Sequence, residues 1–369
     1  MNKPERVTCV VGARPNFMKV APVYQALRGR GLDVRLVHTG QHYDAKMSTV
    51  FFDDLGMPRP DAFLEVGSGN HAEQTAKVMI RFDADCEAFA PELVLVAGDV
   101  NSTVACAMVA AKRGISVGHI EAGLRSRDWR MPEEINRILT DQCSDLLLTP
   151  SADGDANLLA EGMQPWRIHR VGNLMIDSLR SHLARARELD AAASRGLSVG
   201  GYAVATLHRP SNVDGRAQLQ HLLAALAEVA RRLPVLFPIH PRTRARIAEW
   251  DLQVDPGIVL LEPLGYLDFL GLMADCKLML TDSGGIQEET TALGVPCLTL
   301  RDNTERPITM EQGTNTLLGS DASVIVPAVD EIMATGGKRG RTPELWDGKS
   351  AGRVADLVCA GYQTLTEGG

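Results

Sequence analysis

The stretch Leu278-Met279-Leu280-Thr281-Asp282-Ser283-Gly284-Gly285-Ile286-Gln287-Glu288-Glu289 decides the fold class. Its apolar start, running up to Thr281, reads as a short strand buried on both faces, as strands of parallel sheets are. The Gly pair lets the backbone turn tightly and approach a ligand. A helical pattern begins directly afterwards. A strand, a Gly-rich turn and a helix in succession form the building unit of an α/β fold. The same stretch is a candidate diphosphate cradle. The Ser283 hydroxyl and the N–H groups of Gly284 and Gly285 meet at a helix N-terminus, which attracts anions. Glu289, one turn further in, is placed to accept ribose hydroxyls. The plainer alternative is a Gly-capped turn with no ligand.

Working outward, the alternation continues in both directions. In the second half the strand candidates are Tyr202–Leu207, Val235–Ile239, Val259–Leu261 and Cys297–Leu300. In the first half they are Val7–Val11, Val34–His38, Leu93–Ala97, Val117–Ile120 and Leu146–Leu148, with helical patterns such as Val20–Leu27 and Ser102–Lys112 between them. Such alternation predicts a parallel sheet wrapped by helices in each half. A charged, Ala-rich helix around Ser178–Ala193 joins the halves, with a hinge between Val171 and Gly201. The expected domains are therefore 1–170 and 171–351. Gly336-Gly337-Lys338-Arg339-Gly340 reads as a mobile loop, and a last helix is expected after Gly352.

Composition narrows the partners. The chain has 369 residues and a formal net charge of -8. That balance argues against nucleic acid, which selects a basic face, but leaves room for a locally basic anion pocket. The 7 cysteines are scattered, without a Cys-x-x-Cys pair, as suits reduced and buried thiols. No apolar run reaches the roughly 18 residues a membrane span needs. Met1-Asn2-Lys3-Pro4-Glu5-Arg6 leads directly into a strand, so no signal peptide and a cytoplasmic location are expected.

In open parallel sheets ligands sit beyond the carboxyl ends of the strands, and the chemically informative residues fall there. The first strand ends in Gly12-Ala13-Arg14-Pro15-Asn16-Phe17-Met18-Lys19, where Arg14 and Lys19 add two cations to a helix N-terminus. Two later strands end in carboxylates, Asp99 after Gly98 and Glu121 after Ile120, and Pro132-Glu133-Glu134 adds more acid. Grouped acids suit proton transfer at carbon, one removing a proton and another replacing it. Taken singly, Asp99 reads equally well as a helix N-cap, and Glu133 and Glu134 as first-turn acids. His208 and His240 end two strands of the second half and are candidate acids, bases or phosphate donors. Arg306 follows another strand and returns toward the same mouth. No Gly-x-Gly-x-x-Gly loop points to NAD, and no ligand spacing points to a metal, so neither cofactor is expected.

Gly12-Ala13-Arg14-Pro15, Gly98-Asp99, His119-Ile120-Glu121-Ala122-Gly123-Leu124-Arg125, Pro132-Glu133-Glu134-Ile135-Asn136-Arg137, His208-Arg209, Asp282–Glu289 and Thr304-Glu305-Arg306-Pro307 together resemble the non-hydrolysing UDP-N-acetylglucosamine 2-epimerases. The resemblance runs in order from Val7 to Leu318. It implies two Rossmann-like, doubly wound α/β domains facing a cleft, of the GT-B type, with the final helix, 352–369, crossing back to the first domain. It also implies a homodimer acting on a UDP-sugar. The resemblance assigns Asp99, Glu121 and Glu133 as catalytic carboxylates and places Arg14, Lys19 and His208 at charged active-site positions. Ser283, Gly284, Gly285, Glu289 and Arg306 match its UDP site, with Phe269 beside the uracil, and His240 matches a position near the active site. The implied reaction is elimination of UDP to a 2-acetamidoglucal and re-addition from the other face.

Two segments depart from the pattern. Arg209-Pro210-Ser211-Asn212-Val213-Asp214 replaces a more charged Arg-Arg-Glu-type segment of some members, and the loop from Glu121 to Pro132 is short. A 2,3-diacetamido uronic acid sugar is therefore an expected substrate beside UDP-N-acetylglucosamine. A hydrolysing epimerase, a glycosyltransferase and a non-catalytic nucleotide-sugar sensor are the alternatives; the sensor alone has no use for Asp99, Glu121 and Glu133 together.

Overall fold

The computed structural model describes residues 3–40 and 56–365. By internal contacts the chain divides into two compact units, Met1–Ser181 with Glu344–Gly369, and His182–Pro343. The first holds a seven-stranded sheet in the order β3-β2-β1-β4-β5-β6-β7. Its strands are β1 (Arg6–Val11), β2 (Asp33–His38), β3 (Ala62–Phe63), β4 (Leu93–Ala97), β5 (Ser116–Ile120), β6 (Leu146–Thr149) and β7 (Ile168–Arg170). The second holds a six-stranded sheet, β10-β9-β8-β11-β12-β13. Its strands are β8 (Ala203–Thr206), β9 (Val235–Pro238), β10 (Ile258–Leu261), β11 (Leu278–Thr281), β12 (Cys297–Thr299) and β13 (Asn315–Leu317). Every described strand pair is parallel.

Central strands are apolar throughout because helices cover both faces. All five residues of β4 are buried, and so are all four of β11. The second core gathers Leu219, Leu222, Leu226 and Val229 from the helix Arg216–Ala230 onto Val235, Phe237, Leu278 and Leu280. In the first, Val78, Phe82 and Cys86 of the helix His71–Phe89 pack with Val94, Val96 and Ala105. In each sheet the strand order reverses once, between β1 and β4 and between β8 and β11. Ligands bind at such switch points.

Two expectations about the chain path need correction. The joining helix is Leu174–Glu188, not Ser178–Ala193, and a 3-10 turn, Ala193–Arg195, follows it. Leu174, Ile176 and Leu179 are buried, which keeps the front of that helix with the first unit and moves the boundary from 170 to Ser181. The return to the first unit begins at Glu344 rather than 352. Trp346 is 1% exposed and its Nε1 donates to Pro150 O at 2.9 Å. Asp177 accepts from Ser350 N at 3.1 Å and Ala351 N at 2.8 Å, closing the start of the final helix, Ser350–Ala360. The loop at Gly336–Gly340 is anchored: Lys338 Nζ donates to Met310 O, and Arg341 N donates to Gln312 O at 2.7 Å.

Candidate active site

In the first unit one amide ties the strand tips together at the switch point. Asn16 Oδ1 accepts from Gly12 N and Ala13 N at 3.3 and 2.9 Å, and Nδ2 donates to Ala97 O at 2.8 Å. Gly12 is obligatory there, since a Cβ would lie 2.8 Å from both Thr39 Oγ1 and Ser102 Cβ. The helix Arg14–Gly29 begins at this turn; the side chain of Arg14 lies outside the described part of the structure. The same helix carries Lys19 inward to 7% exposure, where it forms an ion pair with Glu121. Glu121 stands immediately beyond β5 with φ 73°, a left-handed conformation that costs a side-chain-bearing residue energy. Its N–H and that of Ala122 both donate to Leu148 O, at 3.0 and 3.2 Å, which fixes the turn.

Asp99, beyond β4, does not cap the next helix: the N-cap of Asn101–Lys112 is Val100. Its carboxylate instead meets the buried guanidinium of Arg137, and its carbonyl accepts from Asn136 Nδ2 at 2.9 Å. Arg137 Nη1 also bonds Glu134 Oε2 at 2.8 Å. Burial pushes the Glu134 carboxyl up, but N–H bonds from Ser126 and Arg127 and the Arg137 charge outweigh it and hold it below the usual range. Glu134 is thereby a structural clamp, while its neighbour Glu133 faces a cavity of about 270 Å³ lined by Asp99, His71, Gln74, Asn101 and Asn136. The Lys19–Glu121 pair borders a second void of about 10 Å³ with Asn173. Gly98 links the two places, since a Cβ on it would lie 3.5 Å from both Glu121 Oε2 and Lys19 Nζ. His119 and Glu121, two residues apart, go to different partners. The buried His119 ring sits between Asp141 Oδ1 at 2.6 Å and Gly98 O at 2.9 Å. Among the described residues no group of three or more His, Cys, Asp or Glu is arranged to hold a metal ion.

The second unit builds its own site at its own switch point. Asp282, fully buried beyond β11, accepts from His208 N, Arg209 N and Asn212 Nδ2 at 3.0, 2.9 and 3.0 Å. Its Oδ1 meets His208 Nδ1 at 2.8 Å. Burial works to raise the Asp282 carboxyl, yet these bonds and His208 keep it below its ordinary value. An ionised Asp282 makes Nδ1 the protonated nitrogen of His208 and turns Nε2 to the outside of this half-exposed ring. His240 caps the helix Pro241–Glu249, its Nδ1 accepting from Arg242 N at 3.2 Å. Burial, then His208 and Arg242, push this imidazole down.

Ser283 precedes the helix Gly284–Leu293 without capping it through its hydroxyl. The first-turn N–H groups of Gly284 and Gly285 thus have no Ser283 side-chain cap, at a helix end of the kind that attracts anions. Arg306 lies beneath that turn, 6% exposed. Its Nε is 3.0 Å from Glu288 Oε1, it also pairs with Glu305, and Arg301 Nη2 reaches Glu305 Oε2 at 2.8 Å. A Cβ on Gly284 would lie 2.7 Å from Glu305 Oε1, so the glycine is what lets this buried charge cluster come so close. Glu289 is buried, and Tyr266 OH donates to its Oε1 at 3.1 Å. Burial pushes the Glu289 carboxyl up to about 8, against the Tyr266 bond. The Tyr266–Asp275 helix, brought to Glu289 by that bond, also carries the half-buried Phe269.

A family model described as UDP-N-acetylglucosamine 2-epimerase matches residues 25–359. The chain belongs to this family. It is 40% identical over 365 residues to the UDP-N-acetylglucosamine 2-epimerase of Methanocaldococcus jannaschii, covering 96% of this chain and 99% of that one. A crystal structure of the M. jannaschii epimerase in complex with UDP-GlcNAc and UDP superposes with a TM-score of 0.90, covering 96% of this chain and 100% of that one. The UDP-2,3-diacetamido-2,3-dideoxy-D-glucuronate 2-epimerase of Pseudomonas aeruginosa is 41% identical over 325 residues, 87% of this chain and 90% of that one.

Within this epimerase-family chain, several residues around the candidate sites carried no assignment from sequence. Asp282, Asn136 and Arg137 stood inside the family-like motifs, yet only the fold shows what they hold. Tyr266 and Asn101 were ordinary members of helical patterns. His71 lay in a Gly/Ser/Asn-rich run, Gly67-Ser68-Gly69-Asn70-His71, where nothing marks it apart from a loop residue.

Proposed function

We propose that this chain is a non-hydrolysing 2-epimerase that inverts C2 of UDP-N-acetylglucosamine by eliminating UDP and the C2 proton, returning a proton to the other face of C2 and adding UDP back to C1. The observation that carries the reading is the pairing of Asp99 and Glu133 in one cavity, with Glu121 held by Lys19 one glycine away. The C2 proton of an N-acetylhexosamine is not acidic, so a base alone cannot take it. When the C1–O bond to UDP breaks first, C1 becomes cationic and the C2 proton is readily lost.

In this reading the anion seat at Ser283, Gly284 and Gly285 stabilises departing UDP, and His208, whose Nδ1 proton faces Asp282, offers Nε2 as a proton acceptor. Glu289 takes the ribose, and Phe269 the uracil. Arg14 and His240 complete the charged surroundings. Asp99, paired with Arg137, stabilises the cationic sugar, while Glu121 and Glu133 carry the proton. A homodimer and a cytoplasmic location belong to the same proposal; no helix among the described residues is long and apolar enough to cross a membrane. The 41% identity to the P. aeruginosa enzyme favours a second substrate, the 2,3-diacetamido uronate.

The test is incubation of each UDP-sugar with the protein in D2O, read by NMR. We expect a UDP-linked product with inverted C2 carrying deuterium. Free N-acetylmannosamine would make the enzyme hydrolysing, and no isomer without an acceptor would make it a transferase. Asp99→Asn, Glu121→Gln and Glu133→Gln should each keep UDP binding and slow C2 exchange about 10²–10⁴-fold, the usual scale of acid–base catalysis. Variants that all epimerise within a few-fold of the parent would return these acids to a structural role.

A further inference from the structure

The wall of the 270 Å³ cavity is a chain of amides with a defined direction. Asn136 Nδ2 donates to Asp99 O at 2.9 Å and to Asn101 Oδ1 at 3.3 Å. Asn101 Nδ2 donates to Gln74 Oε1 at 2.8 Å and lies 3.1 Å from His71 Nδ1; Asn101 Oδ1, which already accepts from Asn136, is the more distant partner of that ring nitrogen at 3.3 Å, so Nδ1 is the acceptor. Gln74 Nε2 in turn donates to Gly67 O at 3.2 Å. An imidazole that accepts at Nδ1 carries its proton on Nε2 when neutral. Each amide is thus committed to its neighbours, and no described residue takes up His71 Nε2. The cavity therefore presents two carboxylates, Asp99 and Glu133, the exposed Ser68 hydroxyl, and one ring N–H, that of His71.

A ring N–H held beside two carboxylates suits a neutral acceptor better than an anion, which the acids would repel. We propose that His71 is a specificity-determining residue that donates from Nε2 to the carbonyl oxygen of the sugar's 2-acetamido group. This rests on the reading of Asp99 and Glu133 as the acids acting at C1 and C2. The acetamido nitrogen is bonded to C2 itself, so its acyl group lies within the same cavity as those acids. The C2 substituent is the one group that must be near them whichever sugar is bound. The amide chain has the further effect of fixing the ring: Asp99 O, Asn136, Asn101 and His71 form one connected line, so the donor is set relative to the acid.

The test is a binding cycle read by calorimetry with the full-length protein, using UDP-N-acetylglucosamine and UDP-glucose, which lacks the acyl group. His71→Ala should weaken UDP-N-acetylglucosamine about two- to tenfold, the span of one net hydrogen bond, and leave UDP-glucose unchanged. His71→Gln, which keeps an N–H donor, should recover part of the loss. Equal weakening of both ligands, or of neither, overturns the assignment. So does a loss confined to the 2,3-diacetamido uronate, because the contact would then be to C3 or C6. A parent protein that binds UDP-N-acetylglucosamine but leaves C2 uninverted would instead sink the proposed reaction, so the two failures are distinguishable.

Discussion

Glu289 shows at the residue scale how burial changes what a sequence position can do. Its carboxyl is enclosed, and its ordinary value of 4.5 rises to about 8. The folded state then keeps a proton that the unfolded chain releases. Its contribution to stability is whole below about pH 4.5, declines as pH rises, and is gone above about 8. Glu289→Gln imitates the protonated carboxyl and cannot titrate. Denaturant midpoints at pH 6 and pH 9 should show the parent losing stability with rising pH more steeply than the variant. Parallel losses would mean that Glu289 is not the titrating group. His208 is a second residue-scale case: the ring nitrogen it offers outward is selected by Asp282, whose carboxylate is fully buried.

At the scale of the element, the helix Gly284–Leu293 is a device that works only with what lies under it. Its first turn offers N–H groups, while Glu288 inside it and Glu305 beyond β12 enclose Arg306. From sequence, Arg306 reads as a direct UDP ligand. The geometry gives it a supporting part as well, because it pairs with two buried carboxylates, Glu288 and Glu305, the second shared with Arg301. Removing one member of a buried ion pair typically costs about 3–5 kcal/mol by stranding the other. Arg306→Ala should therefore lower unfolding stability by roughly that much, in addition to any loss of UDP affinity. A variant with the parent's denaturation midpoint and weaker UDP binding would restrict Arg306 to ligand contact.

At the scale of the whole molecule, the chain leaves its first unit after Ser181, builds a second, and returns at Glu344. The return is held by burial rather than by chain continuity. Trp346 supplies one of the largest fully buried side chains, and Asp177 supplies both acceptors for the start of the helix Ser350–Ala360. Gly172, with φ 93°, adopts a conformation that favours glycine beside this joint, where a Cβ would also lie 2.8 Å from Ser350 Oγ. Trp346→Ala removes that anchor, and truncation of a buried Trp costs about 3–5 kcal/mol. We expect a lowered unfolding midpoint, with proteolysis of the native state beginning in the segment 344–365. An unchanged midpoint would show that the final helix holds on by itself.

The sequence by itself determined the α/β class, the alternation of strand and helix in both halves, and the placing of Asp99, Glu121, His208 and the Ser283–Gly285 turn at strand ends. These are local properties: apolar runs, Gly turns and helical periodicity are written in neighbouring residues. Strands β3, β7 and β13 escaped because they are short edge strands paired on one side only, β3 two residues long and β7 and β13 of mixed polarity. The tertiary structure decided sheet order, and with it every long-range partnership. Asp99 meets Arg137, Glu121 meets Lys19, His208 meets Asp282, and His71 meets Asn101. Each pair joins residues from separate elements, and no periodicity encodes which strand lies beside which. Burial is settled at the same stage. It makes Glu134 a clamp while its neighbour Glu133 faces a cavity, although both stand as first-turn acids of one helix.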